Sequence, residues 1–310
     1  MRRTTTIDLL RPDGPDGDVL VDGRGRDLVM SRGSRPRTSD TASLRAHIDY
    51  VNGSTLLDIR AVPDDDGLRE LLGATVGPGF RSKVVAAIPQ AAADRSLAHL
   101  LLDDLPGATL VSGYARFPTG KCDMNADPAA RRTFLSGRIN LCSGFSESGT
   151  MLTEMSRTGA LPLPYGPVAP PLESPEHPLA WHAIDPLQPN GIRRRRLMDV
   201  AEVDERLLVR AMFRDSHRDD HGVETVIHEY DLTAEIDRAD LRVLAIEATP
   251  RVLPWVECPH AAASATRLLG QTVHDLRTWV RAQLTGITTC THLNDLLRSL
   301  ADIDRLVEEL

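Results

Sequence analysis

Thr225-Val-Ile-His-Glu-Tyr-Asp-Leu-Thr-Ala-Glu-Ile236 is the stretch whose reading decides the fold class. Val226, Tyr230, Leu232, Ala234 and Ile236 fall at even spacing with polar residues between them. A period of two is that of a half-buried antiparallel strand, whose side chains alternate between faces. Upstream, Leu207, Val209, Ala211 and Phe213 alternate in the same way, with Arg206 and Arg210 on the opposite face. Downstream, Leu241 to Ala248 reads as a further strand, ended by Pro250 and Pro254. From Cys258 the period changes. Ala265-Leu268-Leu269, Val273-Leu276-Val280-Leu284 and Leu293-Leu296-Leu297-Leu300 recur at three and four residues, the spacing of amphipathic helices. Strands followed by helices predict an α+β layer with helices on one sheet face.

The same order of segments occurs earlier in the chain. Arg2-Arg3, Ile7-Asp8, Val19-Leu20-Val21 and Arg26-Asp27-Leu28 are answered by Arg195-Arg196, Met198-Asp199, Leu207-Leu208-Val209 and Arg214-Asp215-Ser216. Further on, Leu44 to Asp49 is answered by Leu232 to Asp237, and Leu57-Asp-Ile59 by Leu244-Ala-Ile246. Leu71-Leu-Gly-Ala-Thr-Val76 is answered by Leu268-Leu-Gly-Gln-Thr-Val273, and His99-Leu100 by His292-Leu293. The offset is 188 at Asp27/Asp215 and at Asp49/Asp237, 197 at Gly73/Gly270 and 193 at His99/His292. Small drifts at constant order are what loop insertions and deletions produce in two copies of one fold. The expectation is therefore α+β: two similar antiparallel-sheet-plus-helices repeats, residues 1–113 and 193–310, related by a pseudo-twofold.

Residues 114–192 have no counterpart and read as an insertion. Asp127-Pro128 is an N-cap and first-turn pair for a short helix through Phe134, and a second helix is predicted from Ser146 to Arg157, closed by Gly159. Nine of the 21 prolines then fall between Pro162 and Pro189, so this segment is extended and irregular. It also holds Leu161, Leu163, Tyr165, Val168, Leu172, Leu179, Trp181 and Ile184, too much apolar surface for a free tether. A belt packed across both repeats is expected.

An apolar content of 41% and a charged content of 26% over 310 residues describe a globular chain with room for real cores. The net charge of -8 argues against a nucleic-acid-coating surface. No stretch approaches the roughly 20 apolar residues of a spanning helix. Met1-Arg2-Arg3-Thr4 has the look of a twin-arginine signal, but Asp8, Arg11 and Asp13 leave no apolar core for one, so a cytoplasmic location is expected. Four cysteines (Cys122, Cys142, Cys258, Cys290) suggest reduced thiols or ligands in preference to a disulfide framework.

The densest chemistry lies in the second repeat. His228 sits on the long strand, Cys258-Pro-His260 follows Pro254-Trp255, and Cys290-Thr-His292 opens the last helix. Thiolate and imidazole are the donors that zinc and iron prefer, which makes His228, Cys258, Cys290 and His292 a candidate metal set. Alternatively, a cysteine at a helix start, its thiolate favoured by the free amides, is a nucleophile candidate, with Cys290, His292 and His228 as catalytic residues. A third reading is that both cysteines are small buried hydrophobes. The first repeat has Asp40 opposite His228 and Leu97 opposite Cys290, and only His99 persists opposite His292.

Arg193–Arg196 precede a strand. Alternation puts two arginines on each face, where they either fork onto a carboxylate or phosphate of a substrate or pair with Asp and Glu along a solvated edge. Arg195 and Arg196 are taken as substrate-binding candidates. Arg26-Asp27 and Arg214-Asp215 read as ion pairs at strand ends, and Asp215-Ser216-His217 is discounted as a triad because triad members are not normally neighbours in sequence. In the insertion, Cys142-Ser-Gly-Phe-Ser-Glu147-Ser-Gly149 reads either as an ordinary turn or as a lid, with Cys142 and Glu147 as further substrate-binding candidates. No Gly-Lys-Ser/Thr follows it and no Gly-x-Gly-x-x-Gly follows a strand, so neither a P-loop nor a dinucleotide domain is indicated.

His228-Glu-Tyr-x-Leu, Leu268-Leu-Gly-x-Thr-Val273 and Thr289-Cys-Thr-His-Leu-x-x-Leu-Leu297 resemble a bacterial family of domains of unknown function, family 2889, over roughly residues 193–300. The resemblance implies no activity. The Gly-x-Thr helix before a late cysteine is also similar to iron–sulfur scaffold proteins, a likeness of fold alone. The function expected is an enzyme acting on a small anionic organic substrate, at a site between the second repeat and the insertion, with zinc or iron as the candidate cofactor. The alternatives are a metal- or iron–sulfur-binding scaffold and an inert partner subunit. A small-molecule ligand is expected, with no nucleic acid and no membrane; oligomerisation is left open.

Overall fold

The computed structural model describes every residue except 32, 117–120, 124–134 and 164–165, and only the backbone of 121–123. Eight strands form one antiparallel sheet. The first meander is β1 (Arg2–Leu10), β2 (Val19–Val29), β3 (Arg37–Asp49) and β4 (Thr55–Val62). A short pair, β5 (Lys121–Asp123) and β6 (Ala160–Pro162), lies in the insertion. The second meander is β7 (Ile192–Val203), β8 (Arg206–Arg218), β9 (Glu224–Asp237) and β10 (Val243–Val252). The spatial order is β10-β9-β8-β7-β1-β2-β3-β4, so the meanders join through their first strands, with Arg2 opposite Asp199 and Leu9 opposite Ile192. The chain is thus α+β around a large antiparallel sheet. Pro250 does not end β10 as the sequence led us to expect: it pairs opposite Tyr230, because β10 is an edge strand and needs no second row of amide donors.

Helices α1 (Phe80–Ala87), α2 (Pro89–Ala93) and α3 (Leu97–Val111) follow β4; α4 (Thr150–Thr158) lies in the insertion. After β10 come a 3-10 segment, Cys258–Leu268, and helices α5 (Leu276–Gln283), α6 (Thr291–Ser299) and α7 (Ile303–Leu306). The helix expected from Ser146 begins at Thr150 and ends where expected, at left-handed Gly159, a conformation that costs glycine nothing. The helix expected over Asp127 to Phe134 lies outside the described residues.

Alternation along the strands builds two apolar clusters. Ile7, Val21, Leu44, Leu101 and Leu105 belong to one, and Phe213, Leu232, Leu276, Leu293 and Leu297 to the other. Where the two helical groups meet over the central strands, the packing is ionic. Arg196 forks onto Asp104 of α3, Arg194 onto Asp215, and Arg3 onto Asp27. Arg298 of α6 joins Asp295 at 2.7 Å to Asp103 of α3 at 3.1 Å, and Arg277 reaches Asp103 at 2.9 Å. Charges this deeply buried are tolerable only when each is paired. The Arg193–Arg196 run is therefore not a solvated edge: β7 is central, all four side chains are buried, and each faces a carboxylate of the protein.

On the opposite face, residues 166–190 lie across the middle of the sheet. Pro167 accepts from the Val226 amide of β9, Arg214 of β8 donates to Pro170 O, and Arg195 of β7 to Glu173. Thr4 and Thr6 of β1 hold the two ring nitrogens of His182, each at 2.9 Å, and Arg26 of β2 donates to Leu179 O. Trp181 is buried and donates its indole N–H to Leu172 O; Leu172 is half-buried, and Tyr165 lies outside the described residues.

Candidate functional site

Asp215 and His228 face each other across β8 and β9, and the register slips just beyond them, so that Ser216 pairs with Val226. A bulge of this kind inserts one residue and re-aims its neighbours. His228 lands on the helix side of the sheet under the first turn of α6, whose N-cap is Cys290. The rings of His228 and His292 stack, centroids 3.6 Å apart. His228 Nδ1 lies 3.4 Å from Asp215 Oδ2, near enough for attraction but short of a formed hydrogen bond. Arg194 Nε and Nη2 donate to the two Asp215 oxygens at 2.9 and 3.0 Å. One donor atom from each of Asp215, His228 and His292 lies within 4.8 Å of the others, the only such triplet of His, Cys, Asp or Glu among the described residues.

The electrostatics fix protonation states. Burial raises the Asp215 carboxyl, but the Arg194 guanidinium outweighs it, and the net shift is downward; the group is a carboxylate. Burial, then the nearby His228, push His292 down to about 3, so its imidazole is neutral. Cys290 sits at a helix start, where free amides favour a thiolate, yet burial wins and pushes its thiol up to about 11. Cys290 Sγ is 4.0 Å from His292 Nδ1. A neutral imidazole and a protonated thiol make a poor nucleophile–base pair by themselves, but they suit a cation, which needs free lone pairs and can displace thiol protons.

Residues 192–305 match the family model described as "Protein of unknown function (DUF2889)". Over those residues the chain is similar to the DUF2889 family. Comparison with curated proteins and with solved structures gives no match. The DUF2889 segment contains Asp215, His228, Cys258, Cys290 and His292, whereas Cys142 and Glu147 lie outside it.

The other expected site residues are distributed as follows. Cys258 opens the 3-10 segment and is buried; burial pushes its thiol up to about 12. Cys142 is buried beside the DUF2889 segment, held there by Ser143, while Glu147 is exposed on the rim. Arg195 points away from this cluster, toward the belt, and Arg196 toward Asp104. Arg26-Asp27 and Arg214-Asp215 are not pairs, because neighbours on a strand point to opposite faces: Asp27 pairs with Arg3, Asp215 with Arg194, and Arg214 with Glu229. Ser216 donates to Glu224, so the Asp-Ser-His run makes no triad. Sequence reasoning missed Asp215 as a partner of His228. The turn around Asp219-Asp-His-Gly222 carried the signal, since it sets which residues of β8 and β9 face each other.

Proposed function

We propose that the DUF2889 segment carries a mononuclear site for zinc or iron, formed by Asp215, His228 and His292, and that the chain is a metal-dependent enzyme acting on a small anionic organic substrate. The observation that carries this is the meeting of a carboxylate and two imidazoles at one buried place. Two histidines and a carboxylate are a recurrent donor set for both metals, leaving positions open for substrate. Stacked rings have nearly parallel in-plane lone pairs, so binding requires one ring to turn. His292, in the first turn of α6 and partly accessible, is the ring with room to do so. A divalent cation beside Arg194 makes the centre electropositive, which favours an anionic ligand. The test is metal analysis of protein purified without chelator. A metal content that falls by about one zinc or iron per chain in His228→Ala and in His292→Ala is expected; equal metal in all three proteins removes the site. Loaded protein showing no thermal shift with any small organic anion would leave a metal-binding protein without catalysis.

We also infer that the two meanders, with their helices, descend from one duplicated unit with pseudo-twofold symmetry, of which the second kept the chemistry. The supporting parallels are specific. Arg3–Asp27 repeats the fork of Arg194–Asp215, so Arg3 answers Arg194 and not Arg196, the counterpart expected from the sequence. The bulge after Asp215/His228 recurs after Asp27/Asp40, so Asp40 stands where His228 does. Left-handed Gly73 and Gly270 donate to Leu56 O and Val243 O at 2.8 and 2.9 Å. An experimental structure in which superposed meanders leave Asp49 and Asp237 at different strand positions would remove this inference.

A further inference from the structure

Three cysteines meet at the start of α6, and a single serine arranges the meeting. The Ser143 amide donates to Thr289 O at 2.9 Å, and its hydroxyl to Glu257 O at 2.5 Å. Cys142 precedes Ser143, Cys258 follows Glu257 and Cys290 follows Thr289, so these two hydrogen bonds bring three thiol-bearing positions together. Gly144 allows the approach: a Cβ there would stand 2.8 Å from Cys258 Sγ and 2.9 Å from Trp255 Cδ1. All three thiols are free and buried. Main-chain N–H groups surround them. Cys142 sulfur faces those of Gly144, Phe145 and Thr291, and Cys290 sulfur those of His292 and Leu293. The wholly buried Tyr230 hydroxyl lies beside Cys290 and interacts with its sulfur.

Packing alone does not account for this arrangement. Small apolar side chains would fill the same volume without main-chain amides directed at sulfur. We propose that Cys142, Cys258 and Cys290 form a thiolate site for one thiophilic divalent cation of the zinc class, which fastens the insertion to the DUF2889 segment and is distinct from the Asp215, His228 and His292 triad. Binding exchanges three S–H protons for three metal–sulfur bonds with no change of oxidation state. The sulfurs stand wider apart than the donor atoms of the triad, so binding must draw them inward.

Cobalt(II) is the probe, added to the reduced, metal-stripped full-length chain. Thiolate coordination gives an intense near-ultraviolet sulfur-to-cobalt charge-transfer band, which a nitrogen and oxygen site does not. The expected result is that band, with proton release, in wild type and in His228→Ala. Its intensity should fall at least three-fold in Cys142→Ser and in Cys258→Ser, the second variant guarding against a folding defect in the first. Cobalt bound with no charge-transfer band overturns the thiolate site while leaving the triad standing. A band undiminished in both cysteine variants also overturns it, as does a failure to bind cobalt at all.

Discussion

The His228 and His292 rings lie face to face, tilted by only 21°, although one comes from the middle of a strand and the other from the first turn of a helix. Two imidazoles this close cannot both be charged without strong repulsion, and burial keeps His292 neutral. Zinc binding should break the stack. Saturating zinc is expected to shift the His292 ring resonances more than those of His182, and removing either ring of the stack should weaken metal binding at this site by at least about ten-fold. Unchanged His292 resonances on saturation would place the metal elsewhere.

Buried histidines make the stability depend on pH, and three of them are shifted far. Burial holds His99 and His182 down to about 4 and His292 to about 3. Each is neutral in the fold and takes up a proton on unfolding once the pH drops below the ordinary value near 6.5. Their contribution is therefore complete above about pH 6.5 and is lost as the pH falls toward 4, at about 1.4 kcal/mol per pH unit for each histidine. Urea denaturation at pH 7 and pH 5 checks this; equal midpoints would contradict it.

The buried forks should be costly to break from one side. Arg194→Ala leaves the fully buried Asp215 carboxylate without its partner, and an expected loss of about 3–5 kcal/mol follows from the uncompensated charge. Arg24, half-exposed beside Asp22 and Asp185, is the control, with an expected loss below about 1 kcal/mol for Arg24→Ala. Chemical denaturation of the two variants measures the contrast.

Trp181 anchors the belt. Trp181→Ala removes a buried ring and the hydrogen bond to Leu172 O, for an expected loss of about 3–5 kcal/mol. Limited proteolysis should then cut within 166–190 well before the sheet is lost. A variant as resistant as wild type would mean that the belt is held elsewhere.

Gly144→Ala probes the contact between the insertion and the DUF2889 segment. The added methyl must displace Cys258 or Trp255, so the thiolate–cobalt band should weaken, with a stability loss of about 1–3 kcal/mol. A full-strength band would show that the contact has slack.

The sequence by itself determined the local order. The period of two through Val226 to Ile236 and through Leu207 to Phe213 specified strands and their buried faces, and the change of period after Cys258 specified helices. Alternation also split Arg193–Arg196 correctly into two opposed pairs. These features are legible because burial at period 2 or 3.6 is written in neighbouring residues. Tertiary structure alone decided that β1 pairs with β7, which turned an expected edge into the middle of a sheet and gave every arginine of the run a carboxylate partner. It also decided that Asp215 faces His228, that α6 places His292 on that ring, and that Ser143 gathers Cys142, Cys258 and Cys290. Those partners are separated by 13 to more than 140 residues, and no periodicity encodes a contact at such range. Register, a single bulge and two hydrogen bonds set them, and these form only when the whole sheet closes.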